Sequence, residues 1–533
     1  MKNTGCFFVC IFLLSIVSCS SQKQAVVSKN TSQTVQTKSG AVRGLCLDEK
    51  NVELFAGIPY AQPPLGPLRW KEPQALAPWT GVYDAFAFAP KAMQSKQKWY
   101  ERFIYRNIIY HDPDGDRSDA LEMSEDCLYL NIWRPSTAGS NDKLPVLVYI
   151  HGGSLMSGSS ATESFDGSTF AQKNIIVVTI AYRLGVFGYF ADESLAQESP
   201  FGTTGNYGLL DQIAALKWVH ENISAFGGNE NNITIAGESA GASSVCALCV
   251  SPLAKGLFTR AIAESSSLVS RVPPHTFRSM ESALEMGKNI QQEFKVSSVE
   301  ELRNIPAQKL IKTKYANNAM TVDGYALTEA PSDTYVRGAN NEEALLNGFN
   351  ANEAYFFNFF SGMANLKNYR SKIESYFGPF TDEVIELFPA QTNDQAKSFW
   401  NDICSAVLFA YGHHQWSSFI SSQHKSAWLY YFTKENQGIG TNHSGELIYA
   451  YGNVPQTKWY TQEDHQLEDT MVSYWTNFIK TGNPNAQNLP YWQTFSEGKG
   501  RLLELGQTVS MTEDPFIHFY PIVTKTMEYT YQH

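Results

Sequence analysis

Three apolar runs mark out the body of this chain, and each ends in a turn built from small or polar residues. Leu144 to Ile150 reads as a buried strand and runs into His151-Gly152-Gly153-Ser154. Ile233-Thr234-Ile235-Ala236 reads as a strand leading into Gly237-Glu238-Ser239-Ala240-Gly241, with a helix following over Ala242 to Val250. Ala344 to Phe349 reads as a third strand, with Asn350-Ala351-Asn352-Glu353 as its exit turn. The middle run, with its turn and the helix after it, reads as a strand–turn–helix unit.

A fourth apolar run stands apart. Cys6 to Val17 follows Lys2 and is too short to cross a bilayer, which is the form of a signal-peptide core. It ends in Ile16-Val17-Ser18-Cys19-Ser20-Ser21, which resembles a bacterial lipobox and implies cleavage before Cys19 and lipid attachment to its sulfur. Residues 1–18 are therefore read as a lipoprotein signal peptide. Residues 19–39, rich in Ser, Thr, Gln and Lys, are read as a flexible tether, and 40–533 as one folded domain. The expected location is the cell envelope, with the membrane reached through a lipid anchor at Cys19. In a two-membrane bacterium, the absence of Asp after Cys19 points to the outer membrane.

Composition narrows the class. Hydrophobic residues make up 43% of the 533 positions, enough for a large core and far from a disordered composition. The net charge of −11 argues against nucleic acid as a partner, since a polyanion needs a basic surface. Of the eight cysteines, Cys6, Cys10 and Cys19 belong to the leader. Cys46, Cys127, Cys246, Cys249 and Cys404 remain, so an odd one stays unpaired whatever the rest do. Cys246 and Cys249 lie one turn apart on the predicted helix, where they read as small buried hydrophobes. His111 to Asp119 only glances toward a calcium loop: its glycine falls too early, and no glutamate closes it.

The turns carry the chemistry. A serine flanked by glycines between a strand and a helix has the context of a nucleophile elbow, which holds the hydroxyl above the sheet. A serine hydroxyl needs a base, and the base an orienting acid. Among eleven histidines, His443 lies in a loop, Gly438 to Gly445, from which a side chain can reach across the sheet. His413 and His414 fall in an apolar, helix-like stretch and read as packing or surface residues. His151 reads as structural. Glu353 sits where a strand end meets the same face, whereas Asp323 and Asp333 follow no such strand. The backbone N–H groups of Gly153, Ser154 and Ala240 are candidates for an oxyanion hole. The order Ser239, Glu353, His443 is that of α/β-hydrolases.

Further blocks extend the pattern: Phe55 to Ala61, Ser124 to Asn131, Gly205 to Gln212, Phe226 to Asn229, Ser251 to Phe258, Tyr474 to Phe478 and Thr481 to Pro484. With these, the chain resembles the type-B carboxylesterases, the family that includes cholinesterases, from about Thr34 onward. The resemblance implies an α/β class, the α/β-hydrolase fold, with a mostly parallel central sheet, helices on both faces and a gorge-like site above the strand ends. It also implies a small-molecule ester substrate and a serine esterase that works through an acyl-enzyme, with no metal or organic cofactor. It assigns Ser239 as nucleophile, Glu353 as acid, His443 as base, and Gly153, Ser154 and Ala240 as oxyanion donors. The alternatives are a binding or adhesion protein on the same fold, or an amide or thioester hydrolase with the same residues.

Two departures stand out. Ser154 replaces the family's usual Gly or Ala, so its hydroxyl would narrow the acyl side or bind a polar group. The family commonly pairs a cysteine at position 127 with an upstream one, and here that upstream position is Ala92. The loop from Lys91 to Glu125, with Trp99, Tyr100, Phe103, Tyr105 and Tyr110, is expected to be more mobile for want of that link. Its aromatic residues read either as a gorge lining or as ordinary wall packing.

Overall fold

The computed structural model describes residues 30–96, 103, 116–270, 277–315 and 317–532. Its frame is an eleven-stranded sheet. In chain order its strands are β1 (Leu45–Leu47), β2 (Val52–Pro59), β3 (Tyr129–Pro135), β4 (Leu144–Ile150), β5 (Ile176–Ile180) and β6 (Gly228–Glu238), followed by β7 (Arg260–Glu264), β8 (Ala344–Asn350), β9 (Ser426–Phe432), β10 (Leu502–Leu505) and β11 (Val509–Thr512). In space they run β11-β10-β9-β8-β7-β6-β4-β5-β3-β2-β1. Every neighbouring pair from β10 across to β5 is parallel, and the pairs at both edges are antiparallel.

Parallel strands need helical crossovers, which bury both sheet faces, so both alternating sets of side chains are apolar. Val146, Val148 and Ile150 of β4 join one cluster with Ile233, Ile235, Leu345 and Leu429. Leu147 and Tyr149 join the other, with Ala236, Ile262, Leu346 and Trp428. Against the first face lie α1 (Tyr207–Asn222) and α2 (Ala240–Val250), through Leu209, Ile213, Val245 and Leu248. Four further helical segments matter for the site: α3 (Tyr355–Ser361), α4 (Asn393–Ser405), α5 (Tyr411–Ser422) and α6 (Gln462–Thr481). Helix α6 covers the second face with Met471, Trp475 and Phe478. The α/β class and the three strands read from the sequence are present, β6 extending well beyond its apolar core in both directions.

The folded body begins earlier than residue 40. Val35–Gln36 pairs with Ala41–Arg43, Val35 is buried in the first cluster, and the Lys38 N–H donates to Asn222 Oδ1 at 2.7 Å. Residues 30–39 are thus attached to the domain, because a single apolar side chain and a few backbone bonds suffice to dock a polar stretch. Cys19 and the leader lie outside the described residues, as do Trp99, Tyr100, Tyr105, Tyr110 and His111 to Gly115. Asp116 caps the turn at Arg117–Ala120 and accepts from the N–H groups of Ser118 and Glu163. Cys46, Cys127, Cys246, Cys249 and Cys404 are all free. Cys127 and Ala92 share the first cluster, and Cys246 and Cys249 are fully buried on α2, where desolvation raises their thiol pKa values. Among the described residues, no helix is long and apolar enough to cross a membrane and no group of three or more His, Cys, Asp or Glu is arranged to hold a metal.

Candidate functional site

Strand β6, in the middle of the sheet, delivers Ser239 at its C-terminal end, and α2 starts at the next residue. The serine takes φ 55° and ψ −127°, a conformation that side chains rarely adopt. The flanking glycines make this turn possible. A Cβ on Gly237 would lie 2.5 Å from the carbonyl carbon of Gly241, and one on Gly241 would lie 2.1 Å from the Ile150 oxygen. These are approaches no side chain survives, so strand, turn and helix close up only with hydrogen at both positions.

His443 lies between the serine and an acid. Its Nε2 is 2.9 Å from Ser239 Oγ and its Nδ1 is 2.6 Å from Glu353 Oε2. Glu353, fully buried, has its other oxygen fixed by the Asn350 N–H at 2.8 Å. A carboxylate on Nδ1 selects the tautomer that leaves Nε2 free to take a proton from the serine. Burial alone would lower the imidazole's pKa, but the charges of Glu238 and Glu353 and the Glu353 hydrogen bond outweigh it, pushing the pKa up to about 9.

The loop after β4 lies directly against this serine. A Cβ on Gly152 would stand 3.0 Å from Ser239 Cβ and 2.6 Å from the Glu238 carbonyl oxygen. Gly153, Ser154 and Leu155 all take positive φ, at 102°, 56° and 57°. Among the described residues, the N–H groups of Gly153 and Ser154 donate to no protein acceptor. Ala240 is the first residue of α2, where N–H groups have no partner within the helix. Ser154 is exposed. His151, in contrast, is buried and stacks on Tyr182 at 4.5 Å, with its carbonyl accepting from the Tyr182 hydroxyl at 2.7 Å. Burial takes its pKa down to about 4, so it is a neutral structural member of the loop.

The other candidates stand elsewhere. His413 is fully buried on α5 with Nδ1 2.9 Å from Asn347 Oδ1, and His414 pairs with Asp514. Asp323 does follow a strand, Met320–Val322, but this belongs to an outlying two-stranded sheet, and the carboxylate braces Thr203 and the Tyr325 and Leu327 N–H groups. Asp333 lies within the helix Pro331–Val336.

Several neighbours of His443 escaped the sequence reading. Glu238 Oε1 is 3.2 Å from His443 Nε2, and Ser444 Oγ donates to that same oxygen at 2.6 Å. Glu446 is fully buried, accepts from Ser265 Oγ at 3.1 Å and from Asn350 Nδ2, and burial followed by the charges of Glu238 and Glu353 raises its pKa to about 8. Glu264 accepts from Tyr451 and Trp475. Phe357 of α3 and Phe409 approach the imidazole with ring centroids 5.3 and 5.1 Å away. Phe409 belongs to a π-helical turn, Ala406–Ala410, between α4 and α5. Such turns recur at functional sites. The one available signal was adjacency: Glu238 and Ser444 each sit beside a candidate residue in the chain. A cavity of about 1390 Å³ borders the same loop through Ser157, Gly158 and Ser159, but Ser239, Glu353 and His443 do not line it.

A mostly parallel sheet with helices on both faces and an elbow serine at a strand end defines an α/β-hydrolase. The chain belongs to the carboxylesterase family, whose model matches residues 31–520. It is 33% identical over 501 residues to fumonisin B1 esterase of Sphingopyxis macrogoltabida, covering 90% of this chain and 87% of that protein. It is 32% identical over 503 residues to para-nitrobenzyl esterase of Bacillus subtilis, covering 91% and 97%. It is also 32% identical over 512 residues to the precursor of medium-chain fatty acyl-CoA hydrolase of Anas platyrhynchos, covering 89% and 88%. The protein is therefore a carboxylesterase, an enzyme of ester hydrolysis.

Proposed function

We propose that ester cleavage runs through a Ser239–His443–Glu353 triad and an acyl-enzyme. The observation that carries this reading is the unbroken hydrogen-bonded line from Ser239 Oγ through His443 to Glu353, at 2.9 and 2.6 Å. His443 Nε2 takes the serine proton as Oγ attacks the ester carbonyl carbon. The oxyanion is held by the N–H groups of Gly153, Ser154 and Ala240, each worth on the order of 10²- to 10³-fold in rate. The tetrahedral intermediate collapses with loss of the alcohol, which leaves with the proton from His443. Water, deprotonated by the same histidine, then releases the acid and restores the serine.

The test is hydrolysis of p-nitrophenyl esters from acetate to octanoate by the full chain in detergent, beside Ser239→Ala. The expected outcome is a loss of roughly 10⁴-fold or more in kcat. Near-full turnover in the mutant would refute the assignment. A thioester reading has one support, the name of the duck relative; an acyl-CoA substrate tried in the same assay decides it. We place the enzyme on the cell envelope through a lipid on Cys19, from the lipobox-like sequence. Fatty-acid labelling that persists in Cys19→Ala would count against that placement.

A further inference from the structure

Ser444 has φ 68°, in the left-handed region where glycine is at ease and a side chain is not. Its hydroxyl donates to Glu238 Oε1 at 2.6 Å. That oxygen is 3.2 Å from His443 Nε2, the atom that also faces Ser239 Oγ at 2.9 Å. The imidazole edge turned to the serine thus meets a carboxylate as well, and the residue that follows the histidine holds that carboxylate in place. Gly152 leaves the room for it: a Cβ there would lie 3.1 Å from Glu238 Oε2.

We infer that Ser444 is a positioning residue for the reaction: its hydroxyl pins Glu238 against His443 Nε2, giving the imidazolium formed in turnover a second carboxylate beside Glu353. This rests on the triad reading above. The proton account is unchanged by it. Oγ loses its proton to Nε2 and forms the bond to the acyl carbon, the ester C–O bond breaks, and Nε2 returns the proton to the leaving oxygen. While the proton is on Nε2, the N–H has Glu238 Oε1 within reach as well as Oγ, so the ion pair persists when Oγ becomes part of the ester and a poorer acceptor.

The charges around this pair set the direction of the effect. His443 faces Glu238, Glu353 and Glu446, while Phe357 and Phe409 are apolar. Glu238 faces His443, Ser444 and Glu353, and acts on Glu446 and Glu264. Burial pushes the Glu238 carboxyl toward its neutral form, and His443 and the Ser444 hydroxyl oppose that. Without the hydroxyl, Glu238 takes up a proton more readily and the imidazole loses part of the negative field that keeps it charged. The neutral, competent imidazole then survives to lower pH.

Ser444→Gly removes the hydroxyl at a φ that glycine prefers, so loss of folding does not confuse the test; its melting temperature is measured alongside, and Ser444→Ala serves as a second variant that keeps Cβ. The experiment is the pH profile of kcat and KM with p-nitrophenyl acetate for wild type, Ser444→Gly, Glu238→Gln and the double variant. Expected are an acidic limb displaced to lower pH by about half a unit or more, a plateau kcat about threefold to tenfold lower, and KM nearly unchanged. Glu238→Gln is expected to move the limb the same way, and Ser444→Gly to add nothing in that background. A limb that stays in place in Ser444→Gly, or one that still moves once Glu238 is Gln, overturns the inference. Wild-type turnover that survives Ser239→Ala defeats the triad reading instead, so the two failures are separable.

Discussion

Glu353 Oε1 accepts the N–H of Asn350, the last residue of β8, at 2.8 Å. A strand end therefore holds the carboxylate before any substrate arrives. The side chain of Asn350 also donates to Glu446 and to the Asn442 carbonyl, one residue before His443. One residue thus ties the turn bearing Glu353 to the loop bearing His443. In the proposed triad, positioning of this kind keeps the imidazole in one tautomer without reorganisation during the reaction.

Glu353→Gln keeps the shape and removes the charge. The amide can present an N–H to Nδ1, which favours the wrong tautomer, so kcat is expected to fall by about 10²- to 10⁴-fold with KM little changed. Steady-state kinetics on a short-chain ester check this, and a loss confined to KM would contradict it.

In the proposed triad, the acidic limb of the rate profile reports His443. Its pKa is raised against the opposing effect of burial, to about 9, chiefly by Glu238 and Glu353. Only the neutral imidazole accepts the serine proton, so activity falls as pH drops through this ionisation. The expected midpoint of kcat/KM lies on the alkaline side of the ordinary histidine value of 6.5. A midpoint below it would mean that burial outweighs the two carboxylates.

Acid stability should depend on His413. Asn347 Nδ2 donates to Ser417 Oγ and the Trp428 carbonyl, so Asn347 Oδ1 is the acceptor for a neutral imidazole protonated at Nδ1. Burial depresses its pKa to about 3 from 6.5. Between those values the unfolded chain binds a proton that the folded one does not, so the stability present above pH 6.5 is lost as pH falls toward 3. His413→Gln is expected to flatten the stability–pH slope in that window by up to about 1.4 kcal/mol per unit. Urea denaturation at several pH values measures it; parallel slopes in both proteins would sink the argument.

Gly241→Ala tests the closeness of the elbow. The added Cβ falls 2.1 Å from the Ile150 oxygen, a backbone atom in the middle of the sheet. A loss on the order of 3 kcal/mol is expected, together with loss of esterase activity as the turn shifts. Chemical denaturation gives the first and turnover the second; a stable, active variant would show that the elbow has slack.

Much of this site was legible in order along the chain. Ser239, Glu353 and His443 each follow from a local pattern: an elbow between strand and helix, a strand's exit turn, and a glycine-bounded loop. Apolar runs marked β4, β6 and β8 because a parallel strand has no wet face to encode. The short edge strands left little trace, since β1 is only half-buried and shares its apolar residues with turns. Residues 30–39 look like a tether by composition, yet they dock through Val35 and a few backbone bonds.

Local chemistry along the sequence determined the three central strands, the elbow, and which serine, acid and histidine to bring together, because these depend on neighbours in the chain and on strand periodicity. Tertiary structure decided the distances, the burial and the company they keep. Glu238 meets Ser444 across a separation of 206 residues, and Phe357 and Phe409 arrive at the imidazole from two different helical segments. The physical reason is range: turns and periodicity are set by neighbouring residues. The field around a buried imidazole is set by whichever groups the packed sheet and its crossovers place within a few ångströms of it.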